Sequence, residues 1–242
     1  IEMMEKNKDV WQKKAPAFVL QKHVQGVEVA VGAFFNGHDF ISPININFEH
    51  KKLFPGNLGP FVGEMGTAMY WSNRQHKLFD STLGKMLPAL RESGYVGYID
   101  INCIVTGSGI YPLEFTSRFG YPTIQIQQEG ITTPMGEMLW RLAKGENLEF
   151  KTKLGFQIGV RILIPSYFVS KAEGAATIAT YKDLPIIFKN PKNMEGVHIE
   201  DVKRVNDVWR VAGTTGVLLV ITASSKTMTE ARRKVYARVS NI

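Results

Sequence analysis

Apolar and polar positions alternate along residues 17–35, AFVLQKHVQGVEVAVGAFF, on both sides of Gly26, and this period of two predicts two strands. A second pair is predicted within residues 97–120, where apolar runs flank the turn Thr106-Gly107-Ser108-Gly109, whose glycines permit positive φ. Between these regions, residues 43–72 are rich in Gly, Pro and Asn and read as an irregular loop. Asp80-Ser81-Thr82 is placed to cap a helix running to about Glu92, with Gly94 ending it. Thr133-Pro134 opens another through about Lys144, with Gly145 just after its end. Beyond residue 150 the pattern changes to short strands at Phe156–Pro165, Thr177–Tyr181, Pro185–Phe188, Val208–Ala212 and Gly216–Ala223. A last helix spans Thr229–Val239, with Thr227 or Thr229 as its cap. No internal repeat is present, and the change of pattern predicts two units, residues 1–150 and 151–242.

The second strand pair carries the most telling chemistry. Asp100 interrupts the run Ile99, Ile101, Ile104, Val105, and Glu114 interrupts the run Tyr111, Leu113, Phe115. If the connecting loop is odd, Val105 pairs with Gly109 and Asp100 lies opposite Glu114, their Cβ atoms ~5 Å apart on one face. Two carboxylates so placed repel unless a cation sits between them. An even loop sends them to opposite faces, and the acids are then scattered charges on a solvated sheet. Asn102 shares the face of Asp100 in a regular strand, as a further oxygen ligand or as a satisfied polar residue.

Composition narrows the field. The chain has 242 residues, 44% hydrophobic and 21% charged, enough for one large core or two smaller ones. Its longest apolar runs, such as Val217–Ile221, are too short for a membrane-spanning helix. The single Cys103 excludes an intramolecular disulfide and suits a reducing cytoplasm, as a small buried residue. No signal peptide is visible, and a start at Ile1 in place of Met suggests a cut or incomplete chain. The net charge of +7 suits anionic partners. Its densest basic cluster, Arg232, Arg233, Lys234 and Arg238, falls on the solvent side of a helix whose buried stripe is Ala231, Val235 and Val239, so nucleic acid is not expected as a partner. The five histidines show no zinc spacing, and neither a GxSxG elbow nor a Walker-type loop occurs.

The runs GYIDINCIV and YPLEFTSRFGYPTIQ resemble the metal-binding strands of ATP-grasp ligases. Within that superfamily the resemblance is to the glycinamide ribonucleotide synthetase (phosphoribosylamine–glycine ligase) family. It extends through FVLQKHVQGVEVAV, EHKKLFPGNLGPFVGEMGT and the ending GVLLVITASSKTMTEARRKVYARV, covering nearly the whole chain in order. The resemblance implies an α+β fold: an ATP-grasp C-terminal lobe with a mainly antiparallel sheet, followed by a small β-rich domain. It implies a cytoplasmic enzyme of purine biosynthesis in which ATP phosphorylates a carboxylate such as glycine. An amine such as phosphoribosylamine then displaces the phosphate. The other lip of the ATP clamp and the amine-binding domain would lie before Ile1, in the same chain or a separate one.

Residue by residue, the resemblance implies that Gln21, Lys22, His23 and Val24 form the adenine-contacting linker, Gln21 standing where an acid is usual. Glu28 matches an acid facing the ribose or the metal region, and reads equally well as an exposed acid of an edge strand. Glu114 falls on the glutamate that bridges two magnesium (or manganese) ions, with Asp100 as its acidic partner. Thr116 replaces an asparagine whose amide oxygen is a metal ligand, a departure that also admits a non-catalytic nucleotide-binding module. Arg118 and Lys51 match cations reaching the phosphates, Lys51 within the basic run His50-Lys51-Lys52. The loop Gly59–Gly66 matches a substrate-enclosing loop in which Phe61, Val62 and Glu64 replace small and polar residues. Tyr121 and Thr123 stand where acids are expected.

Overall fold

The structure, a computed structural model, describes residues 5–14, 17, 19–164, 176 and 178–242. After helix α1 (Lys8–Lys14), strand β1 (Val27–Asn36) pairs with β2 (Phe40–Phe54), which turns into β3 (Leu58–Ser72). Short helices α2 (Lys77–Ser81) and α3 (Leu87–Glu92) lead to the hairpin β4 (Val96–Val105) and β5 (Ile110–Thr116). Helices α4 (Thr123–Gly130) and α5 (Met135–Ala143) precede β6 (Phe156–Leu163). The strands β7 (Val197–Ile199), β8 (Val202–Val205), β9 (Val208–Val211) and β10 (Val217–Ser225), with helix α6 (Met228–Val239), complete the chain. Eight strands form one antiparallel sheet in the order β5-β4-β1-β2-β3-β6-β10-β7, and β8 pairs with β9 apart from it. The sheet crosses residue 150 through the pairing of β3 with β6. The expected α+β class with a mainly antiparallel sheet is observed.

The two faces of this sheet differ in chemistry because strand side chains alternate. On one face Val29, Val31, Ala33, Ile46, Ile99, Ile101 and Cys103 pack against Leu78, Phe79, Leu83 and Leu90. Farther along, Ile158, Leu219, Ile221 and Ala223 pack against Ala231 and Val235 of α6. The opposite face is apolar only at one end, where Phe34, Ile41 and Tyr98 meet Met138, Leu142 and Phe150. Elsewhere its registers align Glu114 and Thr116 with Asn102 and Asp100, these with Ala30 and Gly32, and these with Asn47 and Asn45. Thr67, Gly159 and Thr222 continue the row.

Several elements depart from the sequence pattern. Residues 43–72 are the longest hairpin of the chain, two strands of 15 residues each, not an irregular loop. Register shifts between His50 and Lys52 and between Lys52 and Phe54 absorb the residues that suggested a loop. Only one strand begins near Gly26, since the described residues among 17–25 lack ladder pairing. The helix expected from Asp80 to Glu92 is three pieces, α2, a 3₁₀ turn Leu83–Met86 and α3, because the Thr82 hydroxyl bonds back to Leu78 O at 2.5 Å while its φ of −130° breaks the helix. Residues 178–180, expected in a strand, are helical, and Thr177 and Pro165 lie outside the described residues. Pro185 makes a single bridge to Arg210 where a strand was expected, as Pro offers no ladder donor. The helix after Pro134 ends at Ala143, with Gly145 just beyond its cap Lys144 as expected, and α6 is capped by Thr227, whose hydroxyl accepts from Glu230 N at 3.3 Å. Arg238, expected to be solvated, instead bonds Thr222 O, Glu195 and the buried Glu129.

Candidate functional site

The hairpin β4–β5 settles where its two acids point. Val105 pairs with Ile110, so the connecting loop Thr106–Gly109 is even. An even loop alone would separate the acids, and a register shift between Asn102 and Cys103 reverses that outcome. Cys103 faces Pro112 and Asn102 faces Glu114, so Leu113 is one extra residue on β5. Asp100 consequently lies opposite Thr116, not Glu114, but Asp100, Asn102, Glu114 and Thr116 all share one face, with the acids diagonal to each other. The bulge also turns the Leu113 carbonyl outward, where it accepts from Gln21 Nε2 at 2.9 Å. An amide can donate that bond and an ionised acid cannot, which gives Gln21 a role of its own in holding the linker against β5. Lys22 and His23 follow in the open and Val24 is half-buried.

Asp100 is only 3% exposed, and its Oδ1 has no hydrogen-bond partner. Burial and the Glu49 and Glu64 charges push its carboxyl up to about 7, against the opposing Thr116 hydroxyl and the Arg118 charge. Gly32, directly across the ladder, lets Tyr98 lie against β1, since a Cβ there would come within 1.9 Å of the Tyr98 hydroxyl. Glu28 on β1 accepts from Asn102 Nδ2 at 3.3 Å and from Lys51. Lys51 also pairs with Glu49 at 3.2 Å; burial opposes its charge, but these two carboxylates hold its pKa above the ordinary lysine value. The exposed Arg118 donates from Nη1 to Phe119 O at 2.8 Å. Asn102, Glu28 and Lys51 are thus hydrogen-bonded together on a polar face that also carries Asp100, held by Thr116, with Glu114 at its edge and the linker beside β5. Alternation in β2 and β3 could have disclosed its other members, Asn45, Asn47, Glu49 and Thr67.

Among the described residues, no three His, Cys, Asp or Glu side chains gather into a ready-made metal cage. The arrangement still fits magnesium, which takes one or two protein carboxylates and leaves its other positions to phosphates and water. Asp100 supplies a buried oxygen with no partner, and Glu114 and Thr116 supply oxygens on the same face. A cavity of about 680 Å³ opens on the apolar face between Val29, Ile46, Tyr70, Leu78 and the turn Thr106–Gly109. None of the expected site residues lines it.

A broad antiparallel sheet whose acid-bearing edge hairpin faces a polar surface is the fold of the ATP-grasp proteins. A crystal structure of phosphoribosylamine–glycine ligase from Thermotoga maritima superposes with a TM-score of 0.65 at 19% identity, covering 91% of this chain and 54% of that one. The biotin carboxylase domain of 2-oxoglutarate carboxylase from Hydrogenobacter thermophilus, solved with MgADP and bicarbonate, gives 0.61 at 11% identity, over 99% of this chain and 51% of that one. The chain belongs to the phosphoribosylglycinamide synthetase ATP-grasp (A) domain family, whose model matches residues 2–124. Phosphoribosylamine–glycine ligases of Clostridium acetobutylicum and Listeria monocytogenes are 24% and 26% identical to it, over 97% and 93% of this chain and 55% and 53% of theirs. The chain spans about half the length of the curated relatives it matches.

Proposed function

We propose that this chain forms the nucleotide- and magnesium-binding part of an ATP-dependent carboxylate–amine ligase that works through an acyl phosphate. Its substrates would be ATP, a carboxylate such as glycine and an amine such as phosphoribosylamine, with the remaining part of the active site supplied by the half that its relatives carry beyond it. The observation that carries this reading is the shared face of Asp100 and Glu114, with the unpartnered Asp100 oxygen, in a chain of this family. Magnesium held there would neutralise phosphate charge, which is most of what phosphoryl transfer asks of a protein. Glu114 and Asp100 would hold it, with Thr116 lending a hydroxyl or leaving a position to water. Arg118 would face the developing anion on the transferred phosphoryl group. Lys51 would keep Glu28 and Glu49 in place and reach the phosphates only by leaving one of them. Residues Gln21 to Val24 would offer backbone groups to the adenine, with the linker pinned to β5 by the Gln21 amide.

Thr116 also supports a second reading, a nucleotide-binding module without turnover, because its hydroxyl already serves Asp100. Calorimetric titration of ATP with and without magnesium separates the outcomes, on this chain alone, on the chain completed with the missing half, and on Glu114→Ala. Binding that needs magnesium and Glu114 is the expected result. No binding in the completed protein would end the ligase reading, whereas binding without substrate-dependent phosphate release would favour the module.

A further inference from the structure

Two buried polar atoms without hydrogen-bond partners lie side by side on the polar face. One is Asp100 Oδ1, and the other is the hydroxyl of Tyr98, two residues earlier on the same face of β4. Both side chains are nearly sealed from solvent, at 3% and 2% exposure. Their closeness is set by Gly32 of β1. A Cβ there would meet the Tyr98 hydroxyl at 1.9 Å and the Asp100 Cβ at 2.9 Å, so the two groups share the space that a side chain at position 32 would fill. The Tyr98 ring is clamped in that place. Phe119 stacks on it at 5.8 Å, and Phe34 meets it edge-on at 5.3 Å. Burial and then the Asp100 charge push the phenol well above the ordinary tyrosine pKa, so its hydroxyl keeps its proton.

A hydroxyl donates and a carboxylate oxygen accepts, so the two unpartnered atoms are complementary. Phenylalanine would fill the same space without stranding a polar atom, which makes the tyrosine costly unless its hydroxyl is used. Gln127 of α4 also reaches toward that hydroxyl, but a neutral amide is a weaker acceptor than an ionised carboxylate. From β5, the Thr116 hydroxyl already bonds Asp100. We propose that Tyr98 is a positioning residue for the magnesium site, its hydroxyl donating to Asp100 Oδ1 when the carboxylate takes the ion. Tyr98 and Thr116 then use one lone pair each, and the carboxylate is held in a single orientation that leaves its remaining lone pairs to the cation. Tyr98 itself touches neither metal nor substrate. The proposal rests on the magnesium reading of Asp100, and its test requires no turnover.

The test titrates magnesium calorimetrically in the presence of a non-hydrolysable ATP analogue, and reads the melting temperature without divalent cation. The protein is the chain completed with its missing half, as unmutated, Tyr98→Phe, Gln127→Leu and Asp100→Asn forms. Tyr98→Phe should weaken magnesium by about tenfold, the value of a group that orients a metal-binding carboxylate. It should not lower the metal-free melting temperature, because no bond made in the metal-free fold is lost. Gln127→Leu should leave magnesium affinity within about twofold of the unmutated protein. Unchanged magnesium affinity in Tyr98→Phe overturns the proposal. So does a loss accompanied by a lower metal-free melting temperature, which makes the role one of packing. An equal loss in Gln127→Leu overturns it too, by making the amide the partner of the hydroxyl. Failure of the magnesium reading shows separately, before Tyr98 is touched: the unmutated protein then binds no magnesium, or Asp100→Asn binds it equally well, and the proposal falls with that reading.

Discussion

The two hairpins of the polar face reach their chemistry by opposite routes. In β4–β5 the strands are short and the pattern is regular, and one extra residue, Leu113, restores a parity that the even turn would have spoiled. In β2–β3 the strands are 15 residues each, and the decisive residue lies where the ladder is broken, with Glu64 reaching Thr123 across the sheet. Alternation with one bulge places Asp100 and Glu114 on one face, and interruption of alternation brings Glu64 to Thr123. A bulge on an edge strand can be tested by deletion. The curl of β3 between Phe61 and Gly66 has no ladder partner and tests best by side-chain exchange.

The largest expected effect separates these routes. Glu114→Ala should cost several kcal/mol of transition-state stabilisation in the completed enzyme, on the order of 10³-fold in rate. Deletion of Leu113 should be tolerated far better, because the pairs Cys103–Pro112 and Asn102–Glu114 then follow in regular register and Glu114 keeps its face. Turnover within about tenfold of the unmutated enzyme in Glu114→Ala, or a loss on deletion of Leu113 as large as that of Glu114→Ala, would break the assignment. Next comes Gly32→Ala, which drives a methyl into the Tyr98 hydroxyl and should destabilise the fold by about 1–3 kcal/mol in urea unfolding.

A pH effect sharpens the comparison, since each hairpin contributes one proton-retaining acid. Asp100 and Glu64 are both raised to about 7, from ordinary values of 3.8 and 4.5, by burial and then by Glu49. The folded chain therefore keeps protons that the unfolded chain has released, and its stability should fall as pH rises through that window. The melting temperature without divalent cation should be lower at pH 8 than at pH 5, and Asp100→Asn should flatten the difference. Added magnesium should recover stability at pH 8 in the unmutated chain and not in Asp100→Asn. A flat profile in the unmutated chain would show that the two acids are ionised throughout. The smallest effect belongs to the hairpin tip: Phe61, 75% exposed and 4.5 Å from Lys52 Nζ, should tolerate serine within about 0.5 kcal/mol.

Much of the frame was legible before the fold was known. Apolar runs broken by Asp100 and Glu114 gave the edge hairpin, Pro134 and Gly145 bounded a helix, and Thr227 capped the last one. The β2–β3 hairpin was obscured because Asn45 and Asn47 are poor strand formers, although they alternate with Ile44 and Ile46 in the proper period. Arg238 was misread because a helical stripe shows which face is apolar, not which polar residue meets a buried partner such as Glu129 on another element.

What the sequence determines alone is what depends on neighbours along the chain: strand periodicity, caps, terminators, and the residue types able to hold a cation. Only the tertiary structure decides what depends on residues brought together from far apart. The Leu113 bulge is invisible in the alternation of either strand, because its existence follows from pairing with β4 and from the Gln21 amide that takes up the freed carbonyl. The meeting of Glu64 on β3 with Thr123 on α4 spans 59 positions, and no local pattern encodes it. Composition supplies the carboxylates, and the sheet decides which of them are left without a cation.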